Sequence, residues 1–178
     1  TFDTMPDIVF VTNKKNIGIV WADSAARELT AEASLKDKLN TLGISGAIYN
    51  IESGTMSDEI NFVSDPYFNL APQVSMVDDK IYVSYMARDI ESVTKDEDIL
   101  DVAGLYSTMV TVGYDMAKEV IPKDFVYIKH PAIEDPLTMD YNTLTSKIGD
   151  NTYTLATYTV DTDGKIDTAS DRELYLSI

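Results

Sequence analysis

Ala71-Pro72-Gln73-Val74-Ser75-Met76-Val77-Asp78-Asp79-Lys80-Ile81-Tyr82-Val83-Ser84-Tyr85 is the stretch that decides the fold. An apolar run follows the proline, Asp78-Asp79-Lys80 reverses the chain, and a second run rich in β-branched and aromatic residues ends at Tyr85. Such a pattern predicts two strands joined by a tight turn. The design spans Pro72 to Asp89, stands earlier as Pro6 to Asp23, and returns more loosely as Pro136 to Asp161. Repetition on this scale marks stacked β modules.

Laid over one another, the copies place Ile17-Gly18-Ile19-Val20-Trp21, Ile81-Tyr82-Val83-Ser84-Tyr85 and Thr152 to Tyr158 in the same role. Trp21, Tyr85 and Tyr158 then correspond, at spacings of 64 and 73 residues, and Asp23, Asp89 and Asp161 follow them. A further strand is predicted in each copy, over Ile44 to Ile51, Leu105 to Tyr114 and Glu173 to Ile178. Each unit reads as strand, turn, strand, long connection, strand, polar turn and a weaker strand. Four antiparallel strands make a propeller blade. The expected fold is therefore all-β, with antiparallel four-stranded blade repeats forming a fragment of about three blades of a β-propeller. Its expected boundaries are a single region over 1–178, with blade 1 at about 1–65, blade 2 at about 66–130 and a partial blade 3 at about 131–178.

These units exceed the roughly 40 to 50 residues usual for a blade, and the excess falls between the second and third strands. In the first insertion, Leu29, Leu35, Leu39 and Leu42 among Ala, Glu and Lys predict a short amphipathic helix ended by Gly43. In the second, Ile99, Leu100 and Val102 are expected to anchor an acidic loop.

With 178 residues, 44% of them hydrophobic, the chain is long enough for one sizeable core. A net charge of -16 excludes the basic footprint that nucleic acid requires and disfavours an anionic membrane surface. No segment reaches the roughly 20 apolar residues of a membrane span. The absence of cysteine removes disulfides, thiolate chemistry and Cys-ligated zinc together. No leader or anchor is seen, so an excised segment of a longer chain is expected.

Tyr158 to Tyr175, an aromatic strand with Asp161-Thr162-Asp163-Gly164, Asp171-Arg172-Glu173 and an apolar strand, resembles a blade element of surface proteins of Gram-positive bacteria, the Firmicutes. Ala71 to Ser75 with Ile81 to Tyr85 is similar to the inner strand pair of generic propeller repeats. The resemblance covers nearly the whole chain and implies an extracellular or cell-surface β-propeller-like module. It brings no catalytic residue with it.

Three groups of side chains are candidate sites. Asp161, Asp163 and Asp167 alternate around Gly164 and form a possible calcium loop, because a hard cation gathers carboxylate oxygens. The register departs from an EF-hand, however: with Gly164 at the sixth position, Ser170 takes the twelfth, where a bidentate glutamate is wanted. A simple Asp-Gly turn is the plainer reading. Asp23, Asp89 and Asp161 would converge on one rim of radial blades, as an acidic mouth for a cation, an amine or sugar hydroxyls, or else as caps of their own turns. Trp21, Tyr85 and Tyr158 could offer stacking surfaces, although most aromatics of this kind pack between blades. His130, the one histidine, lies in a connector without a Gly-x-Ser-x-Gly elbow, and no phosphate-cradling glycine loop is present.

Two kinds of function fit. One is an extracellular non-catalytic binding or scaffold module that presents blade loops to a protein or glycan partner, with no nucleic acid and no membrane insertion. The other is part of a propeller-fold carbohydrate-active enzyme of glycosidase or sialidase type, using inner-strand carboxylates. Arginine is scarce and the Ser-x-Asp-x-Gly-x-Thr-Trp boxes of sialidases are missing, which favours the binding module.

Overall fold

The computed structural model describes residues 3–10, 15–24, 32–39, 42–63, 68–88, 90, 94–95, 107–119, 128–129, 137–161 and 172–178. For 3–10, 24, 68, 70, 107–109, 128–129, 137–140 and 161 the description is of the backbone alone. Three antiparallel sheets follow in chain order. The first holds β1 (Asp3–Phe10), β2 (Asn16–Ser24) and β3 (Leu42–Asn50), with β4 (Thr55–Met56) and β5 (Ile60–Val63) both paired to β3. The second runs β6 (Phe68–Val77), β7 (Lys80–Arg88), β8 (Ser107–Asp115) and β9 (Ile128–Lys129). The third comprises β10 (Leu137–Ile148), β11 (Asn151–Asp161) and β12 (Arg172–Ser177). Every pairing is antiparallel, and apart from β5 on β3 each joins strands consecutive in sequence, which is the arrangement of blade sheets expected from the repeat.

Each unit opens with a hairpin whose first strand carries a bulge. One extra residue enters between Thr4 and Asp7, between Leu70 and Gln73, and between Thr138 and Tyr141. Pro6 and Pro72 lie inside the first two bulges, where the ladder is already interrupted and a missing N–H costs least. Ala71, beside Pro72, takes a positive φ of 50°. In the third sheet Met139 and Asp140 occupy the bulge instead, and Pro136 lies outside the described residues. The hairpin turns use residues that tolerate the left-handed region, Asp78 at φ 53° and Gly149 at φ 62°.

Counted from the bulge, Trp21 and Tyr85 are equivalent, each one residue beyond the partner of Asp7 or Gln73. Tyr158 is itself the partner of Tyr141, so the third unit is one residue out of step with the other two. The helix is also shorter than its leucine spacing predicts. Helix α1 covers only Leu35–Leu39, opened by Ser34, whose Oγ accepts from Asp37 N and donates to Asp37 Oδ2. Leu42 and Gly43 belong to β3, because pairing with Ser24 and Asp23 buries Leu42 in the sheet. Leu29, Ile99, Leu100 and Val102 lie outside the described residues.

The second sheet is the middle layer. In β7 every residue from Ile81 to Ala87 is buried, on both faces. Ile81, Val83 and Tyr85 face the first sheet, where Val20, Ala22, Ile44, Phe62 and Val63 complete a large apolar cluster. Phe62 meets Tyr114 edge to face at 5.9 Å. Burying each such side chain is worth about 1.5–3 kcal/mol. The other face meets the third sheet through the smaller cluster of Met86, Tyr141, Ala156, Tyr158 and Val160.

That second junction is strengthened by polar contacts. Gln73 Nε2 donates to Tyr141 O at 2.9 Å, Thr143 N donates to Gln73 Oε1 at 2.6 Å, and Thr145 N donates to Ser75 Oγ at 3.0 Å. The Tyr141 hydroxyl reaches the carbonyls of Ala71 and Ser84. Side chains of β6 thus satisfy the open edge of β10, which no strand covers among the described residues.

Two substitutions test this packing. A Cβ at Gly46 would lie 2.6 Å from Ile19 O and 2.7 Å from Phe62 Cε2. Gly46→Ala should therefore cost about 1–3 kcal/mol, read from urea unfolding. Replacing Gln73 by Met keeps the volume but orphans Thr143 N–H and Tyr141 C=O, and a loss of about 1–3 kcal/mol is expected in the same assay.

Candidate functional site

Antiparallel hairpins give the stack two unlike rims. Strands β2, β7 and β11 end on one of them, from which the long connections leave, and the tight turns at Asp78, Asn50 to Gly54 and Gly149 occupy the other.

On the insertion rim, β2 and β3 carry Trp21 and Ser45 as direct cross-strand partners, with Asp23 opposite Gly43 two pairs further on. Alternation puts Trp21, Asp23 and Ser45 on one face, turned away from the second sheet. Asp23 is buried and Ser45 is buried beside it, while Trp21 is only half-buried. The Ser45 hydroxyl lies 2.9 Å from Glu59 Oε1 and 3.4 Å from Asp23 Oδ2. One hydroxyl proton thus stands between two carboxylates, one buried and one exposed. Gly43 leaves room for this strand crossing, since a Cβ there would fall 2.3 Å from Val63 O.

Each of the other expected site residues has its own place in the register or lies outside the described residues. Asp161 matches Asp23 when counted from the bulge, pairing with Leu137 as Asp23 pairs with Asp3, but the second sheet holds Ala87 at that position, paired with Asn69. Asp89, two residues beyond Ala87, lies outside the described residues, as do Asp163, Asp167 and His130. Among the described residues no group of acids, histidine or cysteine is arranged to hold a metal ion. Tyr85, 1% exposed, gives its ring to the contact between the first two sheets. Tyr158 packs toward Met86 and stacks on its cross-strand partner Tyr175 at 5.6 Å. Trp21 is the member of the aromatic set that keeps an accessible surface.

Three features escaped the sequence reading. Ser45 and Glu59 join Asp23 only through pairing across β2, β3 and the approach to β5, a register that local pattern does not encode. Arg88 ends β7 on the insertion rim with a half-buried guanidinium, whose pKa burial lowers. Its Nε has no hydrogen-bond partner among the described residues. The third lies on the hairpin rim, where a groove of about 430 Å³ between the second and third sheets is lined by Asp78, Asp79, Asp115, Lys118, Lys147 and Asp150. Lys147 Nζ bridges to Asp78 Oδ2 at 2.8 Å, and that hydrogen bond and charge raise the ammonium pKa. Asp115 Oδ1 accepts from Ala117 N at 3.1 Å and Lys118 N at 3.2 Å. Burial pushes this carboxyl up, but the Lys118 and Ala117 donors and the Lys118 charge outweigh it, and its pKa lies below the usual value.

The architecture defined by these sheets is that of a β-propeller fragment. No family model matches the sequence, and no curated protein matches it. Among solved structures, an α-L-arabinofuranosidase from Lactobacillus brevis is similar over 99% of this chain and 52% of its own, with a TM-score of 0.50 at 14% identity. A Trypanosoma rangeli sialidase in complex with sialic acid aligns with 99% of this chain and 31% of its own, at a TM-score of 0.49 and 12% identity. The chain thus spans about half the length of the first and about a third of the second. Likeness at this identity concerns the fold.

Because Asp115 is held below the usual carboxylate range, its stabilising contribution is present above pH ~4 and lost as pH falls through its folded value. Asp115→Asn should therefore melt at a lower temperature than the parent at pH 7, with the gap closing on acidification toward pH ~3 in thermal scans.

Proposed function

We propose that this chain is part of an extracellular, cell-surface propeller that binds glycans at its insertion rim without catalysis. The observation that carries this reading is the half-buried Trp21 on the same strand face as Asp23 and Ser45, with Glu59 completing the polar group. An indole face suits the C–H surface of a sugar ring, and carboxylates and a hydroxyl accept from or donate to its hydroxyls. The similarity in fold to an α-L-arabinofuranosidase supports a glycan over a protein partner. Cell-surface residence and a Gram-positive source rest on the resemblance of the Tyr158 to Tyr175 segment. No described helix is long and apolar enough to cross a membrane.

A second reading, glycoside hydrolysis, is favoured by one observation: Asp23 and Glu59 share the Ser45 hydroxyl from unlike environments, one buried and one exposed. Such asymmetry is what separates an acid from a base or nucleophile.

Calorimetric titration with arabinan-derived and sialylated oligosaccharides separates the two. Binding that weakens about tenfold or more in Trp21→Ala, with no release from aryl glycosides, is the expected result. Turnover of an aryl arabinofuranoside that is abolished by both Asp23→Asn and Glu59→Gln would replace the binding module with the enzyme.

A further inference from the structure

The third sheet has one covered face and one bare one. Cross-strand pairing places Leu144, Ile148, Tyr153, Leu155, Leu174 and Leu176 on the same side, with Ile178 following by alternation. Leu144, Ile148, Leu174, Leu176 and Ile178 are each more than half exposed, and Tyr153 and Leu155 are only partly covered. Between them stand Asn142, Ser146, Asn151, Thr157 and Thr159, and the charged Arg172, the ladder partner of Asp161, falls on this side only at its far end, beyond Leu174. Lys147 and Glu173 point to the opposite side. A contiguous apolar surface of this kind is one that a soluble protein ordinarily covers.

We propose that this face is the seat of a further antiparallel sheet of the same propeller, stacked on β10, β11 and β12 as the third sheet is stacked on the second. The occupant follows from interfaces already present. The first sheet covers one face of β7 and the third sheet lies against the other, so each neighbour in the stack is a sheet one repeat step away. Alternating Leu, Ile and Tyr on β10 to β12 offer what Val20, Ala22 and Ile44 offer at the first junction, a row of apolar side chains whose central positions hold no charge to desolvate. A second copy of this chain is a poorer fit, because two bodies each of net charge -16 repel one another.

The chain contains no cysteine, so a single introduced thiol reports on its own position. The test is made in the protein expressed from its complete reading frame, with Leu176→Cys and Leu144→Cys as probes and Ser53→Cys, in the exposed Ile51 to Gly54 turn, as reference. Circular dichroism verifies folding, and Leu155→Cys replaces a probe that misfolds. Alkylation at the probes at least about tenfold slower than at Ser53→Cys, independent of protein concentration and restored by urea, is expected. Equal rates at probe and reference would overturn the proposal. Protection lost on dilution, with a halving of mass by light scattering, would overturn it too, in favour of a second copy.

Discussion

The arrangement depends on how the inner edge of β10 is satisfied. A strand at the edge of a sheet presents unpaired N–H and C=O groups, and near an interior these must find partners. Gln73 and Ser75 of β6 supply them, bonding Tyr141 O, Thr143 N and Thr145 N without adding a strand. The amide of Gln73 is suited to the task because it donates and accepts at once, and here it does both toward residues two apart on one edge. Sheets joined in this way stack without fusing into one continuous ladder. Where the apolar cluster is large, between the first two sheets, the backbone contact is lighter: Asn69 Nδ2 donating to Leu42 O ties the two.

How much of this was legible in the sequence follows from where the information sits. The hairpins could be read because Asp78-Asp79 and Gly149-Asp150 are turn residues between β-rich runs, and that chemistry is local. The repeat of Trp21 and Tyr85 could be read because their units keep one spacing from turn to bulge. The offset of Tyr158 could not, since a bulge is defined by pairing with another strand. Leucines at helical spacing overstated α1, because Leu42 has a stronger claim in β3, where it is buried against a partner strand.

The candidate site divides along the same line. Asp23 and Trp21 were found from their place in the repeat, but Ser45 and Glu59 were not, because cross-strand neighbours can lie twenty or more residues away in sequence. The acid ring predicted from Asp23, Asp89 and Asp161 was drawn by matching copies at a fixed distance past an aromatic. Registering them on the bulge instead puts Ala87 in the second sheet's place. Tyr85 illustrates the ambiguity of aromatic repeats: in the middle layer the same position that is half-open in the first sheet is closed by a neighbour.

The bulge near the start of each hairpin has an evolutionary corollary. Since alignment of every sheet is marked within its own opening strand, a connection can lengthen or shrink without changing which side chains turn inward on either side of it. Duplication or unequal crossing-over within the connectors would then add or delete intact layers, so the ring size of such a protein can drift while the individual layers persist.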